Sequence, residues 1–113
     1  MRPPQHAVVP ERISALSLSR LELVVPEPEA LEAVDIAEAR GVLILAWEGW
    51  VKGSDGRVGH GSAPQGTASL SRLAVSEAAA LCRETIAGAA RVWREENPDT
   101  QDQLHFCLTF RVS

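Results

Sequence analysis

No stretch of this chain approaches the roughly 18 consecutive apolar residues that a membrane span needs. The N-terminus, MRPPQHAVVPER, carries a basic residue but no apolar segment of signal-peptide length. Both absences favour a cytoplasmic protein with no membrane partner. Cysteine is scarce: Cys82 and Cys107 make no disulfide framework, and two reduced, buried thiols are expected. An excess of positive charge is missing too. Lys and Arg number 11 against 15 Asp and Glu, for a net charge of −4. Binding a phosphate backbone calls for a basic surface, so nucleic acid is not the expected partner. The phosphate-cradling patterns GxxxxGK[ST] and GxGxxG do not occur, and neither does the nucleophile elbow GxSxG. There is no internal repeat and no low-complexity tract.

What is present fits one globular domain. The chain has 113 residues, 45% of them hydrophobic and 23% charged, enough to bury a core without staples. The charge is concentrated. EPEALEAVDIAEAR (27–40) sets five acids against Arg40 alone, which accounts for the whole net charge of −4.

The periodicity orders the elements. Residues 1–12 hold Pro3, Pro4 and Pro10 without periodicity, which implies an extended or disordered arm. Residues 13–113 then form a single α+β domain. ISALSLSRLELVV (13–25) reads as a strand with a phase slip near Ser19, ended by Pro26. Pro28 and the acids around it suit a helix start, Gly41 a helix end. VLILAWEGWV (42–51) is the most apolar strand, and Asp55-Gly56 the turn after it. RVGHG is a weaker return arm, and TASLSRL (67–73) reads as a further strand. Ser76 suits the N-cap of a second helix whose stripe includes Leu81, Cys82, Ile86, Val92 and Trp93. In the last strand Leu104, Phe106, Leu108, Phe110 and Val112 alternate with His105, Cys107, Thr109 and Arg111.

The expected fold is therefore α+β: a small antiparallel sheet with two helices on one face, in the order β-α-β-β-α-β, ferredoxin-like or a related two-layer sandwich. One conflict stands out. A ferredoxin-like order leaves the second strand at a sheet edge, yet 42–51 is the most apolar strand, and an apolar edge invites aggregation. Either the strand order differs or the edge meets a partner.

The segment 46–66, AWEGWVKGSDGRVGHGSAPQG, concentrates two of three tryptophans and six of eight glycines. Its glycines read as a hairpin with loops. Asp55, His60 and Ser62 are the residue types of a hydrolytic triad, but types without geometry carry little. His105 and Cys107 share a strand face, yet zinc wants about four ligands, so no metal site is expected. No catalytic residue and no cofactor is expected either. Glu48, between two tryptophans, suits a solvent-facing acid or a partner of Lys52 or Arg57. Trp47 and Trp50 fall on opposite faces, so one can enter the core while the other serves an interface. The interface candidates are Trp47, Glu48, Trp50, His60 and His105. Glu29, Glu32, Asp35 and Glu38 form a candidate acidic surface for a basic partner.

The sequence thus favours binding over catalysis. The expected protein is a homodimeric binding module, with a second protein of basic surface as a further partner, in the manner of inhibitor- or immunity-type regulators. The alternative is a small-molecule binder or small enzyme, its pocket between the sheet face and the glycine-rich loops, with Glu48, His60 and His105 as polar groups.

Overall fold

A computed structural model describes residues 2–67 and 69–112. Four antiparallel strands form one sheet in the order β1 (Leu23–Pro26), β4 (Gln103–Phe110), β2 (Ile44–Lys52), β3 (Val58–Gly59). The helices are a single turn, α1 (Glu11–Ser14), and two long ones, α2 (Glu27–Ala39) and α3 (Val75–Glu96). The chain is α+β, with α2 and α3 packed against the sheet and each other.

The strand order removes the edge conflict. β2 lies between β4 and β3, not at the edge where a ferredoxin-like order would leave it. β3 covers only Val51 and Lys52. Beyond it the glycine-rich loop continues along the same side: Gly49 N–H donates to the Pro64 carbonyl (3.1 Å) and Trp47 N–H to the Thr67 carbonyl (2.9 Å). This approach is so close that a Cβ on Gly66 would lie 1.5 Å from the Trp47 carbonyl oxygen, so only glycine fits there. The strand expected at 67–73 is instead a bridge at Thr67 and a 3-10 turn, Leu70–Arg72, that buries Leu70. One backbone bond to β2, at Thr67, and one buried leucine anchor this segment without a full strand.

A bulge in β2 between Ile44 and Ala46 resets the register against β4. Ile44 and Trp47, three apart, therefore both reach the helix side, where they are buried. Phe106, Leu108 and Phe110 of β4 face the same core as Leu23 and Val25 of β1, Val34 of α2 and Ile86 of α3.

The helix ends follow local chemistry. α2 begins after Pro26, with Pro28 in its first turn. It ends at Gly41, which adopts φ +71°. Gly41 N–H bonds the Glu38 carbonyl and Val42 N–H the Ala37 carbonyl, a Schellman closure. α3 begins two residues earlier than an N-cap at Ser76 implies, with Ala74 as its N-cap. The Ala74 N–H donates to the Glu77 carboxylate (2.9 Å), so Glu77 supplies the capping contact. The α3 stripe is narrower than its apolar residues suggest. Cys82, Ile86 and Trp93 are buried, Leu81 is half-buried, and Val92 is 44% exposed.

The N-terminal dozen is neither extended nor loose. Residues His6–Val8 form a 3-10 turn, and Val8, Val9 and Ile13 are core. Its prolines erase periodicity, but they do not prevent docking. The Gln5 side chain bonds both backbone groups of Phe110: Nε2 donates to the carbonyl (3.0 Å), and Oε1 accepts from the N–H (2.7 Å). His6 Nε2–H donates to the Ser19 and Glu22 carbonyls, and its Nδ1 meets Ser14 Oγ at 2.7 Å. Arg40 donates to the Ala7 and Val8 carbonyls. The strand expected over 13–25 is accordingly short. Only Leu23–Pro26 is strand, and residues 15–22 wrap its outer edge, where Leu18 N–H bonds the Val24 carbonyl (2.9 Å).

Candidate functional site

Among the described residues, no helix covers the second face of the sheet. The pairing register places the side chains there. Glu48 stands opposite Cys107, Trp50 opposite His105, and Val24 opposite Cys107 on the other side. Thr109 and Ala46 continue the face at one end, Lys52 and Gln103 at the other.

The two tryptophans separate as their spacing implies. Trp47 is 3% exposed, packs edge-on to Phe106 with ring centroids 5.3 Å apart, and donates from Nε1 to Thr85 Oγ1 of α3 (2.9 Å). It is a core residue. Trp50 lies on the second face, half-buried, and donates from Nε1 to Glu48 Oε1 (3.0 Å). The His60 ring stands edge-on to Trp50 at 5.2 Å and is tethered through Nδ1 to the Gly49 carbonyl (3.2 Å). Four of the five interface candidates, Glu48, Trp50, His60 and His105, thus share one face, and Trp47 does not. Glu48 is exposed, but it is held by Trp50 and makes no ion pair with Lys52 or Arg57, since Arg57 pairs with Asp55 instead.

His105 is only 5% exposed, with Nδ1 3.2 Å from the Gln103 carbonyl. Burial holds its pKa below the usual 6.5, Lys52 adds to that, and the Gln103 hydrogen bond and Glu29 oppose it. Cys107 is 2% exposed, and its thiol donates to Glu22 Oε2 at 3.4 Å. Burial, then the carboxylates of Glu22 and Glu48, push that thiol far up. Cys82, buried on α3, is pushed up to about 11 by burial. Glu22, Glu48 and Cys107 bring their ligand atoms within 4.8 Å of one another. Spacing on β4 joins His105 with Cys107 and is silent on Glu22. That acid alternates with Leu21 and Leu23 in the sequence, and only the β1–β4 pairing carries it to Cys107.

The triad residue types do not assemble. His60 is tied to Gly49, Ser62 Oγ accepts from Trp93 Nε1 (3.1 Å), and Asp55 caps the Arg57 N–H. Two adjoining cavities lie between β2 and the glycine-rich loop. One of about 420 Å³ is lined by Glu48, His60, Pro64 and Gln65, and one of about 270 Å³ by Ala46, Gly66 and Thr109. The acidic surface is largely engaged within the chain. Glu32 pairs with Arg12, Asp35 and Glu38 with Arg83, and Glu27 with Arg94. Glu29 has no ion pair among the described residues. Among those residues, no helix is long and apolar enough to cross a membrane. No family model, curated protein or solved structure matches the chain.

Proposed function

We propose that the protein is a binding module that works through the uncovered face of its sheet, with a second copy of the chain as its first partner. The observation that supports this reading most is Trp50, a large aromatic held in place by Glu48 and His60 on a face that no helix covers. The face carries both signs of charge. Glu22 and Glu48 stand near its middle and Lys52 toward its end, so a two-fold axis can set the acids of one copy against the lysine of the other. The pairing of α2's acids with arginines argues against a large basic partner as the principal one. A regulatory contact with another protein would then use the same sheet face. We take the setting to be the cytoplasm, supported by two buried thiols that form no disulfide. The experiment is the solution mass of the chain across the micromolar range. Dimer mass that falls to monomer on dilution is expected, and monomer mass throughout overturns the reading.

The cavities beside Glu48 and His60 favour a second reading, a small-molecule site between the sheet face and the loop. A ligand seated there would quench or shift Trp50 fluorescence while leaving the mass unchanged.

A further inference from the structure

We propose that Glu22, Glu48 and Cys107 form a binding site for a thiophilic divalent cation, Zn²⁺ being the type, on the uncovered face of the sheet. Three observations carry this beyond the dimer reading, from which it is independent because one chain supplies all three ligands. The first is geometry. The three ligand atoms lie within 4.8 Å of one another, and they come from three different segments: the lead into β1, the middle of β2 and the middle of β4. Zinc holds sulfur at about 2.3 Å and carboxylate oxygen at about 2.0 Å, so a tetrahedral S–O edge is about 3.5 Å. The Cys107 Sγ to Glu22 Oε2 separation is 3.4 Å.

The second is the state of the thiol. Cys107 is 2% exposed and points between two carboxylates, and its only hydrogen bond among the described residues goes to one of them. A buried thiol with a purely structural role packs against apolar side chains, as Cys82 does in the core cluster. The third is charge. Neither Glu22 nor Glu48 has an ion-pair partner among the described residues, so no side-chain cation balances the two carboxylates. A divalent ion would supply that balance and take the thiolate as ligand, releasing its proton to solvent on binding. The thiolate selects zinc-like ions over calcium or magnesium. Three protein ligands leave one position open to water. The Trp50 Nε1–H bond to Glu48 Oε1 orients that carboxylate from outside the site.

The test is Co²⁺ titration of the full chain, followed by its visible bands and by thiolate-to-cobalt charge transfer, with Zn²⁺ then added to displace it. The expected result is one Co²⁺ per chain, a charge-transfer band that persists in Cys82→Ala and vanishes in Cys107→Ser, and displacement by Zn²⁺. Glu22→Gln and Glu48→Gln, exposed and benign to the fold, should each weaken binding more than about 10-fold, and Trp50→Phe about 10-fold. Circular dichroism of each variant checks that it is folded. A titration with no charge-transfer band overturns the proposal. So does a site whose affinity is unmoved by Glu22→Gln and Glu48→Gln. The band is read per chain, so its absence says nothing against dimerisation, and a monomeric mass says nothing against the band.

Discussion

At the scale of single residues, the face without a helix holds two buried groups, His105 and Cys107. Burial is expected of the thiol, whereas alternation along β4 assigns His105 to a solvated face. On this face His105 stands between Pro26 and Trp50, and Cys107 between Val24 and Glu48. For His105 this has a consequence for pH. Its imidazolium is disfavoured in the folded chain, chiefly by burial and then by Lys52, so its folded pKa lies below the 6.5 of the unfolded chain. Above 6.5 the ring is neutral in both states and costs nothing. As pH falls through that value toward the folded pKa, the unfolded chain takes up a proton that the folded chain does not, and stability is lost. Urea midpoints should therefore drop between pH 7.5 and pH values under 6.5, and His105→Gln should flatten that part of the profile. Identical profiles for the two proteins would disconnect His105 from acid stability.

At the scale of elements, the informative contrast lies along α3. Ile86 is fully buried between the helices and the sheet, while Val92, on the same apparent stripe, is 44% exposed. Ile86→Ala should cost about 2–5 kcal/mol through the cavity it leaves. Val92→Ala should stay within about 0.5 kcal/mol, as surface changes do. Equal shifts of the urea midpoint would mean that the stripe is wider than the packing shows. The ion pairs that join elements should matter less. Arg12 and Glu32 are both at the surface, so Glu32→Gln should be near neutral in stability and insensitive to added salt. A large loss would show that this pair anchors the N-terminal segment to α2. The elements that periodicity made legible are those with a one-sided pattern: α3, β4, the apolar β2, and α2 with its glycine stop. Those it hid lack a pattern because their satisfaction comes from afar. Gln5 finds its partners on Phe110, His6 finds its own on Ser14, Ser19 and Glu22, and Gly66 is required by the Trp47 carbonyl. The candidate site was half legible for the same reason. Glu48, Trp50, His60 and His105 lie on or near recognisable strands, whereas Glu22 reaches the face only through the β1–β4 register.

At the scale of the whole molecule, the question is what a two-layer protein does with the side of its sheet that carries no helix. An antiparallel sheet tolerates one solvated face when that face is polar. Here it carries Trp50, whose indole is only half-buried within the chain. The edges of the sheet offer no rival docking site of comparable length. Residues 15–22 cover β1, and the loop through Thr67 covers β2 beyond the short β3. The proposed association would therefore use the face, and the tryptophans distinguish face from core. Trp47→Ala removes the ring that packs on Phe106 and bonds Thr85, so it should destabilise the monomer by about 3–5 kcal/mol. Trp50→Ala should leave the fold nearly as stable and shift the solution mass from dimer to monomer. Light scattering and urea unfolding on the same three samples read both quantities. Acrylamide quenching of the wild type adds a check, because Trp50 should become shielded as concentration rises while Trp47 stays shielded throughout. A Trp50→Ala protein that keeps the wild-type mass would move the interface off this face.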